Sequence, residues 1–227
     1  MELLAFGKFT GLGIRLGVYM VVSVLGGLAV REWARATTAT RLHDPTPRLW
    51  GRVTLNPRAW FDPFGSGLVP GLLFILWTVQ LFLMPIAYAK PAPVDRNYLR
   101  NQPRDIILVS VAGSVVNLVL GIVAGVAMRL GPPVEIFRFL DVFALANFSL
   151  AVFHLLPIPG LDGARMLALT LPPHPREVYT NADKYLPLFV LVLFFVLGTL
   201  VTTIFWSLTG AFCQASSGGD CLQLLGL

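Results

Sequence analysis

The residues best suited to chemistry in this chain lie in one short stretch, Arg31-Glu32-Trp33-Ala34-Arg35. Side chains at i and i+4 share one face of a helix. Two histidines at that spacing, with a glutamate after the first, would bind zinc, and the glutamate would activate a metal-bound water. Here the glutamate is present, but both flanking positions hold arginine, which has no lone pair to offer a metal.

The composition indicates which kind of element positions this stretch. Hydrophobic residues make up 56% of the chain and charged residues 13%, with a mean hydropathy of +0.73. A bilayer core takes about 20 apolar residues per helix, so we expect lipid as the surrounding solvent. The net charge of +5 comes from arginines in short loops, as membrane topology requires. We therefore expect lipid and other membrane proteins as partners, and no nucleic acid.

Five apolar segments predict the membrane topology. Four of them are expected to be transmembrane helices, and all belong to a single membrane domain over residues 1–211. A short extracytoplasmic tail is expected over 212–227. The apolar segments are 11–30, 64–89, 106–130, 141–157 and 186–211.

Segment 64–89 is the exception, because basic residues flank it on both sides. If positive loops face the cytoplasm, it must enter and leave on one side, and we expect a broken, re-entrant hairpin packed against protein. One ordinary span remains the alternative. The re-entrant topology places both termini outside a bacterial cytoplasmic membrane and loop 158–185 inside.

Two local features add to this organisation. Leu49-Trp50-Gly51-Arg52-Val53-Thr54-Leu55 predicts a short strand, a small cytoplasmic β element. Cys213 and Cys221 could form a disulfide outside the membrane, or remain two reduced thiols. The predicted fold class is thus an all-α polytopic membrane protein. It has about four to five transmembrane helices, the re-entrant segment and the β element.

Four further sequence elements accompany the opening stretch. Together they resemble the compact bacterial branch of the site-2 protease family, the intramembrane zinc metalloproteases, over residues 15–170. The Ala-Lys-Pro-x-Pro-Val and Pro-x-Pro-x-Leu-Asp-Gly elements carry most of the resemblance. The four elements are Gly51 to Pro57 with Asp62-Pro63-Phe64-Gly65, Ala89 to Val94, Ala112 to Asn117, and His154 to Gly163.

The resemblance implies two zinc-binding histidines on the first core helix, a glutamate general base between them and an aspartate ligand from Leu-Asp-Gly. Glu32 matches the base and Asp162 the aspartate, while Arg31 and Arg35 stand at the histidine positions. His154 could act as a replacement ligand, but a hydrogen-bonded structural histidine is the favoured interpretation.

Three other positions depart from the family pattern. The family usually has asparagine at His154 and proline at Ser114, and a histidine is expected at Trp60. We therefore predict a degenerate catalytic site with no metal and no cofactor, and a protein that is not an enzyme. It would be a pseudoprotease that serves as a subunit or regulator of a membrane complex. An active metalloendopeptidase with an unconventional metal site and a transporter-like protein are the alternatives.

The arginines also suggest how such a site would be held together. Arg31 and Arg35 supply the two positive charges that zinc would bring, so they could pair with Glu32 and Asp162. The alternative is that both guanidinium groups extend to the cytoplasmic surface and contact neither carboxylate.

Overall fold

The computed structural model describes residues 11–218, apart from residues 80, 82, 196 and 197. All regular structure within these residues is helical. The helices are α1 (Gly11–Arg41), α2 (Thr46–Leu49), α3 (Pro57–Trp60), α4 (Val69–Thr78), α5 (Arg104–Met128), α6 (Val134–Leu155), α7 (Asp162–Leu167), α8 (Pro173–Asn181), α9 (Leu186–Phe195) and α10 (Gly198–Ser217).

Helices α1, α5 and α6 form the centre of the fold. Within the described residues they are the three helices long and apolar enough to cross a membrane. Helix α1 packs against α4, α5 and α6, and α5 and α6 pack against each other. The all-α class predicted from the sequence is confirmed.

The buried face of α1 explains why charged side chains enter the core. Leu16, Met20, Val24 and Leu28 follow one another at i+4 and are all buried. The same helical period continues to Arg31, Glu32 and Arg35, because residues three and four apart share a face. About 30 Å of helix separates Gly11 from Arg31 at 1.5 Å per residue. The charges therefore lie about one bilayer-core thickness along the helix from Gly11.

The segment 64–89 folds as a hairpin whose two ends lie together, the geometry that a re-entrant segment requires. It begins with a π-helical turn at Pro63–Leu68 and continues into α4, whose ten residues span about 15 Å, half of a bilayer core. The chain over 83–88, which has no regular secondary structure, then leads back to the starting end. There Tyr88 N–H donates to the Gly65 carbonyl at 3.3 Å, and Ser66 Oγ donates to the Tyr88 carbonyl at 2.8 Å.

The predicted β element is not found: the described residues contain no strand. Pro45 and Pro47 instead introduce the helical turn α2, whose N-cap is Pro45. Gly51 then adopts a φ of +63°, the left-handed conformation that glycine tolerates best. A residue in that conformation interrupts a strand, so the stretch from Leu49 to Leu55 turns.

Three predicted boundaries also change. Helix α1 continues to Arg41, beyond residue 30. Helix α6 begins at Val134 rather than at 141, and Glu135 pairs with Arg138 at 2.8 Å one turn later. The last predicted span, 186–211, is occupied by α9 and α10, and α10 continues to Ser217. Cys213 carries no free thiol, whereas Cys221 lies outside the described residues.

Candidate functional site: a buried ionic cluster

Four of the residues singled out in the sequence meet in one buried cluster. Arg31, Glu32 and Arg35 come from α1, and Asp162 is the first residue of α7. None of the four is more than 3% exposed. The alternative in which the arginines extend to the surface is therefore wrong.

Arg31 joins the two carboxylates. Its Nη1 donates to Glu32 Oε1 and its Nη2 donates to Asp162 Oδ2. The second contact links residues 131 positions apart in sequence, so this guanidinium group ties α1 to α7. The ion pairs that the sequence suggested are present.

Arg35 makes a parallel set of contacts one turn later. Its Nη1 lies 3.1 Å from Glu32 Oε2, and its Nε lies 3.2 Å from Asp162 Oδ1. Each arginine thus contacts both carboxylates. Such pairing matters at this depth because an unpaired ion close to hydrocarbon is costly.

Two contacts of the cluster were not foreseen from the sequence. Arg165 Nη1 lies 3.4 Å from Asp162 Oδ1, and the i,i+3 spacing of these two residues could have revealed this pair. The Ala92 N–H donates to Glu32 Oε2 at 3.1 Å. No pattern in the sequence indicates that second bond, because it depends on how the extended chain after the hairpin lies against α1.

Gly113 on α5 allows the arginines to pack closely. A Cβ atom at this position would lie 2.7 Å from Arg31 Cγ and 3.1 Å from Arg35 Cδ. Any larger residue would therefore displace both side chains. Glycine is required here for close approach, in the Ala-Gly-Ser element that resembles the family.

The three departing positions are also buried but do not join the ion pairs. The His154 ring lies 2.8 Å from the Leu150 carbonyl through Nδ1, which is the structural role that the sequence favoured. Trp60 is 4% and Ser114 1% exposed. Trp60 Nε1 and Ser114 Oγ have no hydrogen-bond partner among the described residues.

The donor set does not fit a zinc ion. Zinc binds cysteine, histidine and carboxylate ligands, typically three of them in a catalytic site. Within the part of the chain that the structure describes, no three such side chains are grouped to hold a metal. Asp162 is already engaged by three guanidinium groups. No reaction step through a metal follows from this geometry.

A cavity of about 220 Å³ adjoins the cluster. Arg35 and Arg165 form its charged side, and Ile106, Val109 and Ser110 of α5 line another side. The stretch from Pro91 to Val94 closes it. This stretch has no regular secondary structure, and prolines at 91 and 93 favour extended backbone in the residues before them. The cavity is thus bounded by helix, by this irregular stretch and by the ionic cluster.

Comparison with known proteins decides the family. The chain is 30% identical over 197 residues to "Putative zinc metalloprotease YwhC" of Bacillus subtilis, covering 82% of this chain and 84% of that protein. It is 32% identical over 216 residues to "Putative zinc metalloprotease Rip2" of Mycobacterium tuberculosis, covering 91% and 80% respectively. This chain belongs to the site-2 protease family. No family model and no solved structure matches it.

The relatives correct one prediction. The sequence-based statement that the protein is not an enzyme is wrong, because both relatives are named as proteases and so point to a protease. That statement depended on Arg31 and Arg35 together with the departures at Trp60, Ser114 and His154, whereas the match to the two relatives extends over most of the chain.

Proposed function

We propose that this member of the site-2 protease family binds an extended segment of another membrane protein in the cavity beside the ionic cluster. It does so as a subunit or regulator of a membrane complex. The observation that carries this proposal is the cavity itself, which has an apolar wall and a buried charged side next to the position of the family's catalytic centre.

The surroundings of the cavity suit a polypeptide. Ile106, Val109 and Val94 offer apolar contacts, and the chain from Pro91 to Val94 lies outside any helix. Prolines 91 and 93 favour extended backbone before them, and such a wall can lie alongside an extended guest over several residues. The apolar residues suit the membrane-spanning or membrane-proximal segments of such partners.

The distribution of basic residues predicts how the protein is oriented in the membrane. The loop between α1 and α4 and the stretch between Lys90 and Arg104 are both basic, which favours the cytoplasmic side of a bacterial membrane. Both termini then lie outside, and the cavity opens toward the cytoplasm. A reporter fused at either terminus tests this orientation: alkaline phosphatase should be active there, and green fluorescent protein should not fluoresce.

Site-specific photo-crosslinking tests the binding proposal. The photoreactive residue benzoylphenylalanine replaces Val94 in the cavity wall. In a matched control protein it replaces Val123 of α5, which is 60% exposed and does not line the cavity. Irradiation of native membranes should crosslink Val94 to one membrane polypeptide, at sites that map to a single segment. The crosslink should disappear when Ser110→Phe fills the cavity.

The opposite results would contradict the proposal. They are lipid adducts alone at Val94, or the same products from Val94 and Val123. Persistence of the crosslink after Ser110→Phe would mean that the partner binds elsewhere.

Peptide-bond hydrolysis is the second candidate function, favoured by the names of the relatives. The crosslinked partner supplies the substrate for its test. Purified partner and purified protein are combined in liposomes, with Glu32→Gln as the matched control. Cleavage by the native chain but not by Glu32→Gln would assign the activity to this site; equal amounts of intact partner in both samples would count against it.

A further inference from the structure

The ionic cluster contains more positive than negative charge. Three guanidinium groups, those of Arg31, Arg35 and Arg165, contact the two carboxylates of Glu32 and Asp162. Among the described residues, no other carboxylate forms an ion pair with these arginines. One positive charge is therefore uncompensated in a region where four of the five side chains are almost fully buried.

The uncompensated charge lies beside the cavity. Arg35 lines the cavity and is 1% exposed. Its Nη2 has no hydrogen-bond partner in the part of the chain that the structure describes. A buried donor left without a partner costs free energy, and the cost is larger for a charged group. Arg165 and Ser110 line the same cavity and can supply further donors.

The size of the cavity limits what can satisfy this donor. Sites for drug-sized ligands occupy about 300–1,000 Å³, more than the 220 Å³ available here. A water molecule occupies about 30 Å³ in the liquid, so the cavity has the volume of about seven waters. It can accept one side chain or one chain end of a larger guest.

We infer that this cavity is a carboxylate-binding subsite, in which Arg35, Arg165 and Ser110 receive an acidic side chain or a terminal carboxylate of the bound polypeptide. The inference builds on the proposed function and adds the chemistry of the bound segment. A guanidinium group presents its donors in a planar fork that matches a carboxylate. The apolar residues Val94 and Ile106 then contact the neighbouring part of the guest.

The remaining charges near the cavity do not fill this role. Arg96 lines its mouth and interacts electrostatically with Asp183. Asp95, the next residue, accepts from the Asn97 N–H at 2.9 Å. A lipid phosphate could contact the same donors, and nanodiscs that contain phosphatidylglycerol distinguish it. A polypeptide carboxylate fits both the charge and the volume of the cavity.

Calorimetric titration with matched peptides tests the subsite. The full-length protein is embedded in phosphatidylcholine nanodiscs. The probes are N-acetyl-Ala-Val-Leu-Ala-Glu-amide and the same peptide with glutamine in place of glutamate. Because a hydrogen bond to a charged group contributes about 1.5–3 kcal/mol, the acidic peptide should bind about tenfold more tightly or better.

Three variants assign this preference to the cavity. Arg165→Gln and, separately, Ser110→Ala should each reduce it, and Arg165→Gln should remove most of it. Arg138→Gln is the control, because Arg138 is on α6 and pairs with Glu135, outside the cavity lining. Its preference should equal that of the native chain.

Several results would overturn the inference. Equal affinity for both peptides would do so, as would a preference that survives both Arg165→Gln and Ser110→Ala. Loss of the preference in nanodiscs that contain phosphatidylglycerol would identify a lipid phosphate as the ligand instead. Crosslinking from Val94 without an acidic preference would refute the subsite alone, whereas a preference without any crosslinked polypeptide would refute the proposed function alone.

Discussion

Removal of the Asp162 carboxylate should destabilise the folded protein strongly. Asp162 contacts Arg31, Arg35 and Arg165, and in Asp162→Ala three guanidinium groups would share the single carboxylate of Glu32. The surplus charge of the cluster would rise from one to two. Loss of one partner from a buried ion pair costs about 3–5 kcal/mol, a large part of a total stability of about 5–15 kcal/mol.

Reversible unfolding in mixed dodecylmaltoside and sodium dodecyl sulfate micelles measures this change. Glu135→Ala is the matched control, because Glu135 also contacts two arginines but is 41% exposed. Partly exposed pairs contribute about 0–1 kcal/mol. A double-mutant cycle with Arg31→Leu and Asp162→Leu should give a coupling energy of about 0.5–3 kcal/mol, since apolar residues can replace a buried pair at low cost.

Unchanged stability after removal of the Asp162 carboxylate would contradict this prediction. If Asp162→Ala and Arg31→Ala each change the free energy of unfolding by less than about 0.5 kcal/mol, the range of ordinary surface substitutions, the cluster does not hold α1 to α7.

Three further outcomes are expected. The double substitution Arg31→His with Arg35→His should bind about one zinc ion per chain by elemental analysis, while the native chain purifies without stoichiometric zinc. Gly113→Ala should lower the free energy of unfolding by about 1–3 kcal/mol through overpacking. In contrast, Gly26→Ala, where a Cβ would meet no atom within 4 Å, should raise it by about 0.5–1 kcal/mol, because alanine forms helix better than glycine. Asp141→Asn should raise the free energy of unfolding by about 1–3 kcal/mol. Asp141 is 2% exposed in α6, and its Oδ1 has no hydrogen-bond partner among the described residues. The micelle unfolding assay measures the glycine and the aspartate variants alike.

The fold was largely predictable because apolar segments of about 20 residues have few alternatives. The re-entrant hairpin followed from charge on both sides of 64–89. The strand expected at Leu49 to Leu55 failed for a local reason: the β-branched and aromatic residues there favour a strand, but Pro45, Pro47 and Gly51 determine the backbone. The sequence also failed to predict the start of α6, because Glu135 and Arg138 are charged and were placed in a loop, whereas they pair with each other on the helix.

The site was predictable to the extent that it depends on helical spacing. Arg31 and Arg35 follow the buried period of α1, and the resemblance supplied Asp162 from a distant element. The Ala92 N–H and the cavity depend on how the chain returns from the hairpin, which no local pattern specifies. The error on enzymatic status had another source: a few departing positions around the pocket were given more importance than the rest of the chain.

The hydrogen bonds of Glu32 within the cluster limit its availability as a general base. Its carboxylate accepts four hydrogen bonds, one from Arg31, two from Arg35 and one from the Ala92 N–H, which occupy all of its about four lone-pair positions. A general base must instead lie within hydrogen-bond reach of the proton that it removes. If the chain hydrolyses a peptide bond through Glu32, Arg35 or Ala92 must first release it. A guest carboxylate bound by Arg35 would compete with Glu32 for that guanidinium group, so occupancy of the cavity and availability of Glu32 should be coupled.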